Sequence, residues 1–162
     1  KRITKIVNGL KTFTHQAEQA FHLENIISLL EEALLILGAK IKEKQIEVIK
    51  DIPKTLEIEC QGGKIIQVFV NILDNAIDAV DKNGQIHIQM KLQEAQLLIR
   101  IKDNGKGMNE TTLRRIYDPF FTTKEDGKGT GLGLTVRHGI IKMNGGRIEG
   151  ESEVDKKTIF TI

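Results

Sequence analysis

Apolar residues recur at three- and four-residue spacing in four stretches of the chain and alternate with polar ones in shorter runs, which predicts interspersed helices and strands. Residues 1 to about 20 carry Ile3, Ile6, Val7, Leu10 and Phe13 as an amphipathic stripe with nothing nearby in sequence to cover it, so a partner helix is implied. After Phe21-His22-Leu23, a second helical pattern from about Asn25 to Glu43 puts Ile26, Ile27, Leu30, Ala33, Leu34 and Leu37 on one face, with a cap at Glu24-Asn25. Strand-like runs follow at 46–52 and 56–60, parted by Pro53, and then a helix from about Lys64 to Val80, ended by Asn83-Gly84. Alternating runs at 85–92 and 96–102 predict a hairpin. From Asp103 to Thr130 glycines and polar residues outnumber apolar ones, apart from a helical piece around Leu113 to Ile116. A helix from Leu132 to Met143 and strands at 147–151 and 157–162 close the chain. Helices interspersed with hairpin-like pairs predict an α+β sandwich, a mixed sheet with helices on one face, preceded by a helical tail.

Length and composition narrow this picture. A chain of 162 residues holds one complete core, so the expectation is a single main domain with an appendage. With 28% charged residues but a formal net charge of only +2, a polyanion partner, nucleic acid included, is not indicated. The single cysteine, Cys60, excludes a disulfide framework or a zinc cluster and reads as a packed thiol in a reducing compartment. The most apolar stretch, Ala33 to Ala39, is about a third of the length that crosses a bilayer. The chain starts at Lys1 already in helical periodicity, which reads as an excised fragment with no signal peptide.

Three segments carry candidate chemistry. Projected at roughly 100° per residue, the helix from Lys64 gathers Gln67, Asn71, Asp74, Asn75 and Asp78 into one polar arc. Asparagine is a poor helix former, and a solvated face ordinarily uses Lys, Glu or Gln; an amide oxygen, however, is a hard ligand suited to one corner of a Mg²⁺ octahedron. Next, Asp103-Asn104-Gly105-Lys106-Gly107 stands where a strand ends, so that Asp103 is placed to accept a hydrogen bond from an exocyclic amine while the glycines let backbone approach a flat ring; the plain alternative is a strand-terminating turn. Last, the run from Gly127 to Leu134 places glycines at every second position before a helix, an anion cradle of exposed amides and a helix N-terminus, against the plain alternative of a flexible loop. It is neither a Walker loop, since no Gly-Lys-Thr or Gly-Lys-Ser closes it, nor a Rossmann fingerprint, since no strand precedes it.

In that order the pieces resemble the gyrase, chaperone, histidine kinase and mismatch-repair ATPase superfamily. The segment Asn71 to Ala79 resembles the asparagine box of sensor histidine kinases, and Pro119-Phe120-Phe121-Thr122-Thr123-Lys124 their phenylalanine box; the match covers about residues 64 to 162. The resemblance implies a Bergerat-type ATP-binding fold over residues 21–162, with residues 1–20 as the end of the dimerisation and phosphotransfer hairpin. It also implies a cytoplasmic domain of a two-component kinase, homodimeric in its full length, with ATP, Mg²⁺ and a response regulator as partners, and leaves membrane attachment of the parent open.

By position, Asn75 would coordinate Mg²⁺ and Asn71 would lie near the triphosphate. Asp103 would receive the adenine amino group, Gly105 and Gly107 would line the base pocket, and Thr158 would help hold the base. Lys128, Gly129, Thr130, Gly131, Leu132 and Gly133 would close over the phosphates, with Lys124 as a further phosphate contact. Hydrolysing relatives resemble one another in a Glu four residues before the metal-binding Asn; here Asn71 stands there, and an amide cannot take a proton from water, so another nucleophile is implied. His15, His22, His87 and His138 lack the flanking pattern of a phosphoacceptor, and Asn144 stands before Gly145-Gly146 where relatives commonly have His. Two other readings remain at this point: a serine-directed protein kinase of the same fold, and a nucleotide-binding module without transfer.

Overall fold

The computed structural model describes residues 20–123 and 133–162. In chain order the elements are β1 (His22–Asn25), α1 (Ile26–Ile36), α2 (Gly38–Glu43), β2 (Glu47–Asp51), β3 (Glu57–Cys60), α3 (Gly62–Ala79), β4 (Gln85–Gln93), β5 (Gln96–Asp103), α4 (Glu110–Arg115), α5 (Gly133–Met143), β6 (Glu149–Glu153) and β7 (Lys157–Thr161). Five strands form one mixed sheet in the order β2-β4-β5-β7-β6, parallel only between β2 and β4, and β1 pairs antiparallel with β3 as a separate ribbon. This is the α+β sandwich that the periodicity predicts. The amphipathic stripe of residues 1–20, read as a helical tail, lies outside the described residues up to Gln19.

The sheet buries one face because its strands alternate. Ile86, Ile88 and Met90 of β4, Ile99 and Ile101 of β5, and Phe160 of β7 point into the core, while Arg100 and Lys102 face out. Helix α3 packs on this face with Val68, Phe69, Ile72, Leu73, Ala76 and Ile77. Burying each large apolar side chain contributes about 1.5–3 kcal/mol, so this interface holds α3, and the polar arc beside its apolar face, in register with the sheet. Helices α1 and α5 flank it. The β4–β5 connection is a two-residue turn, Glu94 and Ala95, both with positive φ (47° and 65°), whose twist matches that of the paired strands.

Two predicted elements differ in detail. The single helix expected from Asn25 to Glu43 breaks at Leu37, whose N–H closes α1 onto Ala33 and Leu35, and Gly38, a poor helix former, opens the short α2. The cap is where the sequence puts it: the Asn25 side chain accepts from the Ile27 N–H at 3.1 Å. Ribbon strand β1 occupies residues that carry no strand signal, since only pairing with β3 makes them extended. Cys60 ends that ribbon buried, and burial, with Glu24 nearby, pushes its thiol up to about 11, which agrees with a packed, unreactive sulfur.

Helix α3 ends against a lysine. Lys44 Nζ donates to the carbonyls of Ile77 and Val80 at 2.7 and 2.8 Å, satisfying acceptors that the helix itself leaves open. Replacing Lys44 by Met is expected to cost about 1–2 kcal/mol in stability, read as a lower urea midpoint with unchanged slope. An unchanged midpoint would show that water replaces the ammonium at no cost.

Candidate functional site

The Asp103 segment is pressed onto the C-terminal end of α3. The Lys106 N–H donates to the Ala79 carbonyl at 3.0 Å, and the Asn104 side chain accepts from the Gln85 N–H at 2.8 Å. Gly105 does not line the cavity, as the resemblance implies, but packs beneath it: a Cβ there would stand 2.4 Å from the Ala79 carbonyl oxygen. Its absent side chain lets strand end and helix end meet. Asp103 is the last member of the buried row of β5, after Ile99 and Ile101, paired across the sheet with Ile86 on one side and Thr158 on the other.

Asp103 is only 4% exposed. Burial raises its pKa, opposed by backbone hydrogen bonds from Gly105, at 2.9 Å, and Thr158. The chain thus holds a carboxylate in an apolar setting with lone pairs to spare, at a cost to the charged form. Thr158, also buried, meets Ser152 hydroxyl to hydroxyl at 2.9 Å, and Ser152 Oγ accepts from the Met108 N–H at 2.7 Å. Gly107 (φ +62°) sits close under β6, where a Cβ would come within 2.1 Å of the Glu153 carbonyl oxygen.

Across from Asp103, α3 contributes Asn71, Asp74, Asn75 and Asp78 to the same cavity, of about 320 Å³, together with Gly107, Gly133 and Thr158. The arc drawn from the sequence therefore faces the strand-end acid, apart from Gln67, which does not line the cavity. Asn71 Oδ1 is buried with no hydrogen-bond partner among the described residues, and Gly133 lies so near that a Cβ there would meet Asn71 Nδ2 at 2.7 Å. Asp74 is neutralised by Lys40, whose ammonium is 2.5 Å away and whose pKa is raised by that hydrogen bond first of all. Lys124, Lys128, Gly129, Thr130, Gly131 and Leu132 lie outside the described residues, as does His15.

Sequence reasoning passes over several wall residues. Met108, Thr112, Ile116 and Phe160 supply apolar surface, and Phe121 lies under the Arg115 guanidinium, 4.4 Å from ring centroid to carbon. Ser152 had no motif at all, and its signal exists only in the β6–β7 register that sets it opposite Thr158. A half-apolar cleft with one buried carboxylate at one end and amide side chains at the other has the form of a site for a flat heterocycle bearing an anionic tail.

Residues 61–162 match the family described as histidine kinase-, DNA gyrase B-, and HSP90-like ATPase. The chain belongs to this family. Among solved structures, the catalytic domain of the histidine kinase ThkA is similar at 31% identity with a TM-score of 0.78, over 89% of this chain and 95% of that one. That coverage makes the chain a histidine kinase-type ATPase domain. Sporulation kinase E of Bacillus subtilis (strain 168) is 36% identical over 167 residues, which take in 100% of this chain and 22% of that protein. This ATPase domain therefore spans about a fifth of that relative's length. The structure of ThkA in complex with the response regulator protein TrrA shares the fold, at 24% identity and a TM-score of 0.77, over 99% of this chain and 48% of that one. Among the described residues no helix is long and apolar enough to cross a membrane.

Proposed function

We propose that residues 21–162 bind MgATP and transfer its γ-phosphate to a histidine on a dimerisation helix, with residues 1–20 as the end of the hairpin that carries it and a response regulator as the next acceptor. The parent protein is then a two-component sensor kinase, homodimeric through that hairpin, with this domain in the cytoplasm. The observation that supports the reading is the convergence of Asn71, Asn75, Asp103, Gly107, Gly133 and Thr158 on one cavity.

Each residue has a task its chemistry suits. Asp103 accepts from the adenine amino group, Thr158, held by the Ser152 hydroxyl, fixes the neighbouring ring edge, and Gly107 leaves room for the ring plane. Asn75 holds Mg²⁺, with Asn71 beside the triphosphate. The donor set fits such an ion, because Asn71 presents an orphaned buried amide oxygen and Asp74 and Asp78 lie on the same arc. Among the described residues no three His, Cys, Asp or Glu side chains cluster as metal ligands, so phosphate oxygens and water would complete the shell. When bound, the ion supplies charge neutralisation for phosphoryl transfer. Lys124, Lys128 and the run Gly129, Thr130, Gly131, Leu132 and Gly133 are assigned to the phosphates. Asn71 cannot deprotonate water, which leaves the γ-phosphate for a nucleophile from elsewhere.

Isothermal titration of this chain with a non-hydrolysable ATP analogue is expected to show one site, tightened by Mg²⁺. No heat of binding would refute the reading. For the transfer itself, the parent protein incubated with labelled ATP should acquire an acid-labile phosphoryl group on histidine; an acid-stable one would favour the serine-directed alternative, and none a binding module without transfer.

A further inference from the structure

Arg137 sits on α5 one turn after Gly133, partly buried, where a lone arginine in a helical pattern reads as a solvated residue. Its guanidinium instead turns inward. One terminal nitrogen donates to the Gly133 carbonyl at 3.0 Å, and Nε stands 3.5 Å from the carbonyl of Gln67 on α3, a long contact. No carboxylate pairs with it among the described residues, and burial lowers its pKa. A cation placed in a poorly solvated seam without an acid costs free energy, so the two carbonyls and the position they fix are what retains it.

That position frames Asn71. Gln67 is the residue one turn before Asn71 on α3, and Gly133 abuts the Asn71 amide so closely that it has no room for a Cβ. The guanidinium therefore spans two backbone points near Asn71, the Gln67 carbonyl one turn before it on α3 and the Gly133 carbonyl at the start of α5. We propose that Arg137 is a positioning residue for the phosphate half of the nucleotide site, holding the Gly133 carbonyl near that of Gln67 and so setting the distance between Gly133 and Asn71. This rests on the nucleotide-binding reading above. The planar fork of arginine reaches the two carbonyls from two different nitrogens held a fixed distance apart, whereas a lysine ammonium offers a single nitrogen that would have to lie within reach of both.

The test measures two ligands on the whole 162-residue chain: ATP with Mg²⁺, and adenosine, which lacks phosphates. Arg137→Met keeps bulk and removes the donors; it is expected to weaken ATP binding roughly tenfold while adenosine affinity stays within about twofold. Arg137→Lys should resemble the Met variant rather than the unsubstituted chain, and it carries the same test should the Met variant fail to fold. Parallel loss of ATP and adenosine affinity, with a lower nucleotide-free unfolding midpoint, would reduce Arg137 to a structural residue and overturn the proposal. Full ATP affinity in the Lys variant would overturn the two-point geometry. If the unsubstituted chain bound no ATP, the underlying reading would fall and this one with it; either of the other two results overturns this one alone.

Discussion

Replacing Asp103 by Ala is expected to weaken ATP binding ten- to a hundredfold, because it removes a charge-assisted hydrogen bond worth about 1.5–3 kcal/mol to the purine amine. The geometry makes the expectation sharp. The carboxylate is buried at the end of β5, opposite the asparagines of α3, and among the described residues no basic side chain pairs with it. The same burial sets a pH dependence. Asp103 titrates above the ordinary aspartate range when folded, so the folded state binds its proton more readily than the unfolded one. Ionising it costs stability as pH rises from the unfolded value through the folded one, and that cost persists at neutral pH. Nucleotide needs the ionised form, so ATP affinity should decline on acidification at a higher pH than a solvated aspartate would produce. Asp103→Asn keeps an acceptor for the Gly105 N–H without the charge. It should raise the nucleotide-free melting temperature while lowering ATP affinity and abolishing this part of its pH dependence. Unchanged affinity in either variant would remove Asp103 from the site.

Gly107→Ala should be the most damaging Gly→Ala change among the described residues. At φ +62° an L-residue costs about 1–2 kcal/mol, and the added Cβ would lie 2.1 Å from the Glu153 carbonyl oxygen and 3.1 Å from that of Lys157. Both neighbours are backbone, so relief requires the β6–β7 hairpin to move, at a further cost of about 1–3 kcal/mol. Together these predict a melting temperature lower by roughly 4–20 °C for a domain of this size. Gly145→Ala separates the two effects. Its φ is +79° but nothing stands within 4 Å of its Cβ position, so only the backbone strain is paid. Equal losses in the two variants would mean that the close contact with Glu153 contributes nothing.

The candidate site was legible in the sequence to different depths. Asn71 and Asn75 stood out because helix geometry alone puts residues four apart on one face, and the apolar remainder of α3 says which face is left over. Asp103 was legible as an acid followed by glycines where a strand ends, and the structure then puts it in the buried phase of β5. Thr158 came only through resemblance, and Ser152 and Met108 not at all, because each acquires its role from a partner in another strand or loop. Gly105 was assigned to the base pocket, yet it serves the contact beneath it, since a glycine pattern records close approach without saying of what.

Periodicity and glycine placement thus determined most of the elements, their buried faces and the acid and amides proposed to carry the chemistry, all properties of residues a few positions apart. The distance across the cleft was decided only by the folded chain, through the packing of α3 on the sheet, the β5–β7 register and the approach of Gly133 to Asn71. These are contacts between residues tens of positions apart, and sequence patterns of period two or 3.6 carry no phase information over such separations.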